Sequence, residues 1–226
     1  GELSMLDLSN CRCIIFDLDG TLLNTLEDLW SAVNHTMDKY GYPHRTIKEV
    51  RAFVGNGVDR LIMLCLPGGE NDPNFEDAKR EYRAYYAEHS EIKTKPYDGV
   101  IELIDKLEKA GIKTAVVSNK IHVATVELCK KYFPDIKTVC GERESEGIRR
   151  KPYPDTVIES AKALGVPLDE TVYIGDSEVD IETSRRAGVD CISVLWGFRD
   201  RDFLEENGGK IFAEKPSDVY DIIVEK

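Results

Sequence analysis

Ile14-Ile15-Phe16-Asp17-Leu18-Asp19-Gly20-Thr21 is the part of this sequence from which the fold can be worked out. Its first three residues form an uninterrupted apolar run, the pattern of a strand that is buried on both faces. Two aspartates follow at a spacing of two, and residues two apart at the end of a strand project to the same side. The stretch therefore predicts a buried strand that ends in a pair of carboxylates.

Between residues 23 and 93 the sequence predicts helices and no strand. Apolar residues recur at three-to-four spacing over Leu26–Tyr40, and Thr46–Glu49 has the pattern of a capping box. The tripeptide Gly55-Asn56-Gly57 separates two further helical stretches. A longer, highly charged helix over Phe75–His89 carries one apolar face.

From about residue 94 onwards, short apolar strands alternate with helices. Strands are predicted at Lys113–Val117, Lys137–Val139, Val172–Ile174 and Cys191–Leu195, and helices at Asp98–Ala110, Ile121–Phe133, Tyr153–Leu164, Val179–Ala187 and from about Ser217. This alternation predicts an α/β fold, a doubly wound parallel sheet with helices on both faces. Because the helical block follows the first strand directly, we expect a core of residues 1–22 and 94–226 with an inserted α-helical cap domain of residues 23–93.

The composition of the chain argues against nucleic acid, membrane and secretory roles. A net charge of −12 over 226 residues argues against nucleic acid. The chain has no apolar run near the roughly 20 residues that cross a bilayer, and its start does not have the pattern of a secretory signal. We therefore expect a cytoplasmic monomer or homodimer, with its six scattered cysteines reduced and mostly buried. A protein this acidic needs a local cation wherever it binds phosphate.

Reactive side chains occur at four points where predicted strands end or helices begin. Asp17 and Asp19 come first, followed by Ser118, Lys151 and the pair Asp176 and Asp180. Ligands of open parallel sheets bind beyond the carboxyl ends of the strands, so these side chains are expected to meet. Close carboxylates repel one another, and a divalent cation such as Mg²⁺, which prefers oxygen ligands, relieves that repulsion.

Each later motif also has an ordinary structural interpretation. Ser118 and Asp176 could simply cap the next helix, and Lys151 could be a solvated surface charge. Gly20 is expected to let the backbone turn tightly, so that nearby amides are free for phosphate oxygens. Together the four motifs favour one site that binds a cation and a phosphate.

The order DxDGT, strand-end Ser, Lys and GDxxxD resembles the haloacid dehalogenase superfamily of phosphohydrolases, over nearly the whole chain. The resemblance implies that Asp17 is the nucleophile of an aspartyl-phosphate mechanism and that Asp19 is its general acid and base. It also implies a metal site and a phosphate site. The Mg²⁺ ligands would be Asp17, the main-chain carbonyl of Asp19 and Asp176, with Asp180 positioning water, and the phosphate contacts would be Gly20, Thr21, Ser118, Asn119 and Lys151.

Two segments resemble the phosphoglycolate phosphatases within that superfamily, namely Phe53–Val58 in the cap and Lys95–Val100 after it. Similar enzymes act on nucleotides, pyrophosphate and sugar phosphates, and Asn24-Thr25 stands where many of them have Asp-Ser. We expect a small-molecule phosphate monoester as substrate. The loop Gly55-Asn56-Gly57 either contacts the leaving group or only links two cap helices.

Three other functions are disfavoured. Dehalogenases of the superfamily lack a carboxylate at the position of Asp19. Phosphomutases carry a cap histidine shortly after the first motif, whereas Asn24–Trp30 contains none. Signalling receiver domains, which only accept a phosphoryl group, are about half this length and lack both the helical insertion and the second carboxylate.

Overall fold

A computed structural model describes residues 8–224 of the chain; the N-terminal start, where no secretory signal is expected, lies outside them. The strands are β1 (Cys13–Phe16), β2 (Leu23–Asn24), β3 (Lys95–Pro96), β4 (Lys113–Ile121), β5 (Thr138–Glu142), β6 (Thr171–Gly175), β7 (Asp190–Val194) and β8 (Ile211–Ala213). The α-helices are α1 (Leu26–Tyr40), α2 (Ile47–Phe53), α3 (Val58–Cys65), α4 (Phe75–His89), α5 (Val100–Lys109), α6 (His122–Tyr132), α7 (Asp155–Leu164), α8 (Glu178–Ala187), α9 (Arg201–Glu206) and α10 (Pro216–Val224). Among these described helices, none is both long and apolar enough to cross a membrane.

The main sheet has the strand order β5-β4-β1-β6-β7-β8, and every neighbouring pair is parallel. Strand β1 lies between β4 and β6, with Ile14 opposite Thr114 on one side and Val172 on the other. The strand order reverses at β1, so the carboxyl ends of these three strands flank the crevice where ligands of such sheets bind. The predicted doubly wound α/β fold is confirmed.

Alternate residues of β1 serve the two faces of the sheet. Ile14 and Phe16 pack in the hydrophobic core that α5, α6 and α10 cover, and Ile15 packs in the core that α7 and α8 cover. All four residues of β1 are buried, as expected for a central parallel strand with helices on both sides. The helical layers thereby fix the position of the residue that follows β1, Asp17.

Helices α1 to α4 form the inserted cap and have a hydrophobic core of their own. Leu29, Met37, Ile62 and Tyr82 are among its buried members. The capping box predicted at Thr46 is complete and begins α2, and Gly41 ends α1 in the left-handed conformation. The inserted helical cap is confirmed, whereas the division at residues 22 and 94 stays a prediction.

The expectation of no strand between residues 23 and 93 is wrong at its first two positions. Strand β2 pairs antiparallel with β3, so the chain enters and leaves the cap through one short ribbon. A two-residue strand is too short to show alternation in a sequence. Strand β8 and helix α9 were also not predicted.

The predicted end of the second core strand at Val117 is wrong as well. Strand β4 continues to Ile121, with a shift of its register against β5 between Val117 and Ile121. Ser118 therefore lies in an irregular extension of the strand, and Lys120 lies in the same extension. This extension carries β4 past the end of β1 and towards the cap, where Lys120 contacts Tyr86.

Candidate active site

Asp17 extends the ladder of β1 by one residue, since its N–H donates to the Ile174 carbonyl over 2.9 Å. Its Oδ1 accepts hydrogen bonds from the Leu18 N–H at 2.8 Å and the Lys151 ammonium at 3.1 Å. The side chain is almost entirely buried. Burial, and after it the neighbouring Asp180 carboxylate, raise the pKa of Asp17 well above its ordinary value.

Lys151 has a buried ammonium with four oxygen atoms around it. Besides Asp17, these are Asp180 Oδ1 at 2.9 Å, the Tyr173 hydroxyl at 2.7 Å and the Val117 carbonyl at 3.3 Å. Burial alone would lower the pKa of Lys151, but the Asp17 and Asp180 carboxylates raise it above its ordinary value. The interpretation of Lys151 as a solvated surface charge is therefore wrong.

Asp176 follows β6 and lies against the turn after β1. Its Oδ2 accepts from the Phe198 N–H at 2.9 Å, and its Oδ1 accepts from the Thr21 hydroxyl at 3.2 Å. Gly20 has φ 80°, and a Cβ there would lie 2.2 Å from Asp176 Oδ2. Glycine is thus required both for the backbone conformation and for the approach of the carboxylate.

The expectation that this turn leaves amides free for phosphate is wrong for two of them. The Gly20 N–H donates to the Leu23 carbonyl, and the Thr21 N–H donates to the Leu18 carbonyl. A tight turn satisfies its own backbone groups, which is why both are occupied. The N–H groups of Gly20 and Thr21 are therefore not available for the phosphate contacts predicted at these residues. The Thr21 hydroxyl donates to Asp176 instead.

Asp180 is 1% exposed and organises the loop before α8. Its Oδ2 accepts from the N–H groups of Asp176 and Ser177 and from the Ser177 hydroxyl, while its Oδ1 faces Tyr173 and Lys151. Burial opposes ionisation, but the Lys151 charge and these hydrogen bonds outweigh it and lower the pKa of Asp180. Asp180 holds both the Asp176 loop and the ammonium in place.

The donor set suits a divalent cation. One carboxylate oxygen each from Asp17, Asp176 and Asp180 lies within 4.8 Å of the other two. Burial and then the Asp180 charge raise the pKa of Asp176, which shows the same repulsion as at Asp17. A hard cation such as Mg²⁺, which takes a few carboxylates and keeps several waters, fits this group.

The Asp19 carboxylate lies outside that acidic group and has different partners. Its Oδ1 accepts from the Thr25 hydroxyl at 2.5 Å and lies 3.1 Å from the Lys120 ammonium. Lys120 in turn donates to the hydroxyl of Tyr86, a residue of α4 in the cap, over 2.5 Å. Roles for Thr25, Lys120 and Tyr86 were not predicted, although the position of Lys120 two residues after Ser118 was a usable signal.

Ser118 and Asn119 also line the crevice. The Ser118 hydroxyl is buried and accepts from the Lys120 N–H at 3.0 Å. The Asn119 amide group donates to the carbonyls of Gly55 and Lys151, and its oxygen accepts from the Lys151 N–H. These bonds indicate that Asn119 positions Lys151 and the cap loop; phosphate contacts of Ser118 and Asn119 stay predictions.

Core and cap enclose one cavity at this site. From the core it is lined by residues that include Asp17, Asp19, Ser118, Lys120 and Asp176, and from the cap by Gly55, Gly57, Val58, Leu61, Tyr82 and Tyr86. The predicted cap loop thus reaches the cavity through both of its glycines. Asn56 is half-buried and is not among the lining residues, so a substrate contact of its side chain stays a prediction.

Arg199 connects the core to the cap. Its two terminal nitrogens donate to the carbonyls of Arg51 and Val54 at 2.8 Å each, and its Nε donates to Glu178 at 3.0 Å. In the other direction, the Arg51 guanidinium of the cap donates a hydrogen bond to the Gly197 carbonyl of the core at 3.1 Å. These contacts hold α2 and the following loop against the crevice.

A family model described as haloacid dehalogenase-like hydrolase matches residues 14–194, which contain all four motifs. The chain belongs to this family. The resemblance noted from the order of the motifs is thereby confirmed, and the haloacid dehalogenase-like fold accounts for the central β1 and the inserted cap.

Named relatives and a solved structure narrow the activity. Phosphoglycolate phosphatase of Thiobacillus denitrificans is 34% identical over 196 residues, covering 83% of this chain and 84% of that protein. Phosphoglycolate phosphatase of Aquifex aeolicus is 33% identical, covering 83% and 86%. A crystal structure from Lactobacillus delbrueckii subsp. bulgaricus, provisionally assigned as a phosphoglycolate phosphatase, is 35% identical with a TM-score of 0.88, covering 95% and 99%. The chain is a phosphoric monoester hydrolase of the haloacid dehalogenase-like family.

Proposed function

We propose that the chain hydrolyses a small phosphate monoester, phosphoglycolate above all, through a phosphorylated Asp17. The observation that carries the proposal is the meeting of Asp17, Asp19, Lys151 and Asp176 around one crevice at the carboxyl ends of β1, β4 and β6. Two carboxylates with distinct partners suit a nucleophile and a separate acid–base group.

Asp17 is the nucleophile of this proposal. Hydrogen bonds from Leu18 and Lys151 fix its Oδ1, so Oδ2 is the oxygen that attacks phosphorus. The bond between phosphorus and the ester oxygen breaks as the bond to Oδ2 forms. Asp17, Asp176 and the Asp19 carbonyl would hold Mg²⁺, which would supply positive charge that favours ionised Asp17 and neutralises the phosphoryl oxygens.

Asp19 handles the protons in both halves of the reaction. It protonates the departing ester oxygen and later takes a proton from the water that opens the acyl phosphate, which releases inorganic phosphate and restores Asp17. Such proton transfer contributes roughly 10² to 10⁴ in rate. Thr25 and Lys120 hold the Asp19 carboxylate in one orientation during both steps.

Lys151 and the cap supply the remaining stabilisation. The Lys151 ammonium stabilises negative charge on the transferring phosphoryl group, the dominant contribution in phosphoryl transfer. Helices α1 to α4 cover the crevice, exclude bulk water during reaction and move away to release the products. The Arg199 contacts stabilise the covered state.

The substrate is assigned from the names of the relatives and tested by a panel of phosphate esters. The panel contains phosphoglycolate, nucleoside monophosphates, pyrophosphate and sugar phosphates, each assayed for phosphate release with and without Mg²⁺. We expect phosphoglycolate to have the highest kcat/KM and all turnover to require the metal. A sugar phosphate or nucleotide at the head of the ranking would overturn the phosphoglycolate assignment.

A further inference from the structure

The ammonium of Lys120 lies in the site, and the proposed steps give it no role beyond its contact with Asp19. The side chain is 7% exposed, and its Nζ lies 3.1 Å from Asp19 Oδ1. The same Nζ donates to the Tyr86 hydroxyl and lies 4.2 Å from the centre of the Tyr86 ring. Lys120 is therefore a buried cation at the contact between core and cap, on the Asp19 side of the cavity.

Lys120 has more donors than its partners accept. An ammonium has three N–H donors; one is donated to the Tyr86 hydroxyl, and Asp19 Oδ1 lies 3.1 Å away as the partner of an ion pair. Among residues 8–224, no other oxygen accepts a hydrogen bond from this ammonium. Lys120 also lines the cavity, and a buried ammonium donor without a partner costs free energy, so the cavity is the place where an acceptor belongs.

The other cations at the cavity wall are less suited to bind a ligand. The three side-chain nitrogens of Arg199 already donate hydrogen bonds to Glu178 and to two cap carbonyls. The Arg83 side chain is 43% exposed and lies 3.8 Å from Asp59. Lys151 does not line the cavity, and its ammonium already has four oxygens around it. Lys120 is thus the buried cation with a spare donor beside the acid–base group.

The position beside Asp19 identifies the part of the substrate that Lys120 can reach. Asp19 protonates the leaving oxygen across a hydrogen bond of about 2.7 Å. Adding the 3.1 Å from Asp19 Oδ1 to Lys120 Nζ places the ammonium within about 6 Å of that oxygen. A ligand of Lys120 is therefore a substituent of the leaving group, only a few bonds from the ester oxygen.

We propose that Lys120 binds an anionic group on the leaving group, a carboxylate bonded directly to the ester carbon. Phosphoglycolate carries its carboxylate at this place. The inference rests on the proposed function and deepens it, because it assigns to one residue the selection of acidic over neutral leaving groups. Tyr86 makes that residue dependent on the cap, since its hydroxyl orients the ammonium only when α4 covers the crevice.

The test compares two substrates that differ only in the charged group. Phosphoglycolate and ethylene glycol monophosphate, in which a hydroxymethyl group replaces the carboxylate, are assayed with the wild-type enzyme and Lys120→Met. We expect the wild type to prefer phosphoglycolate in kcat/KM and the variant to lose that preference by about tenfold to hundredfold, the usual effect of a charge-assisted hydrogen bond. Loss of the Asp19 contact lowers both rates together, so the ratio isolates the leaving group.

Two further variants complete the design. Lys79→Met is the matched control, because Lys79 is 12% exposed and pairs with Asp59 and Glu76 away from the cavity; its substrate preference should equal that of the wild type. Lys120→Arg keeps the charge and should retain part of the preference. Lys120→Gln replaces Lys120→Met should the latter fail to fold.

The outcomes separate this inference from the proposed function. If phosphoglycolate leads in the wild type and Lys120→Met slows both esters equally, Lys120 only positions Asp19 and the inference is overturned alone. If another ester leads the panel, but the wild type still prefers phosphoglycolate to ethylene glycol monophosphate and Lys120→Met loses that preference, the phosphoglycolate assignment is overturned and the inference stands. A wild type that prefers the neutral ester overturns both.

Discussion

Replacement of Lys151 by methionine removes the charge that two buried carboxylates share. The ammonium lies 3.1 Å from Asp17 and 2.9 Å from Asp180, and all three side chains are largely buried. Removing one partner from a buried ion pair costs about 3–5 kcal/mol, because the other partner keeps an uncompensated charge. Because methionine fills most of the volume of lysine, the decrease in the free energy of unfolding comes from the lost charge and not from a new cavity.

The free energy of unfolding of Lys151→Met is measured by urea denaturation in metal-free buffer. Domains are stable by about 5–15 kcal/mol, so the variant should still fold. With a urea dependence of about 3 kcal/mol per molar, the midpoint should fall by roughly 1–2 M. Lys109→Met is the control: its side chain is 76% exposed and pairs with Asp105 on the surface, so the midpoint should not move. A decrease of less than about 0.3 M for Lys151→Met would refute the account of the buried triad.

Three further predictions concern the cap, the turn and the thiols. Arg199→Lys keeps the charge but loses part of the paired bonds to the cap, so steady-state kinetics should show kcat/KM lower by about tenfold; wild-type kinetics would remove Arg199 from cap closure. Gly20→Ala forces alanine to φ 80° against Asp176, which should cost about 1–3 kcal/mol in urea unfolding and abolish Mg²⁺-dependent turnover; normal stability and activity would contradict the role of this turn. Burial raises the pKa of four thiols to about 12, so in the native protein they should react with iodoacetamide at pH 8 at least about a hundredfold more slowly than in urea; rapid native alkylation of any of them would be inconsistent with that burial. These thiols belong to Cys11, Cys65, Cys129 and Cys191.

The strands that position the site could be predicted because they are short, buried and apolar. Ile14–Phe16 and Val172–Ile174 each precede a carboxylate, and a parallel sheet brings such strand ends together whatever their distance in sequence. Asp17 and Asp176 meet for that reason. The cap was predictable from its helical periodicity and from capping signals such as Thr46.

The contacts that orient Asp19 were not predictable in the same way. Tyr86 had the pattern of an ordinary residue on a long charged helix, and its contact with Lys120 spans 34 residues. Arg199 contacts backbone carbonyls 145 and 148 residues away, and a carbonyl has no signature in a sequence. Such pairings depend on how the cap sits on the core, which periodicity does not determine.

The hydrogen bonds within the turn after β1 were also not predictable from the sequence. Glycine at position 20 indicated a tight turn, but not that Leu18 and Leu23 would accept its N–H groups. The ribbon of β2 and β3 was not predicted for a related reason, because two residues are too few to show the alternation of a strand. In both cases local backbone hydrogen bonding decided the outcome.

Chemical trapping of the intermediate is the decisive test of phosphoryl transfer to Asp17. The wild-type enzyme is mixed with Mg²⁺ and phosphoglycolate, quenched in acid during turnover, digested and analysed by mass spectrometry, with Asp17→Asn treated in parallel. One phosphoryl group on the peptide that contains Asp17, absent from the inactive variant, is the expected result. A phosphoryl group on any other residue, or an Asp17→Asn enzyme that keeps most of its activity, would contradict the account.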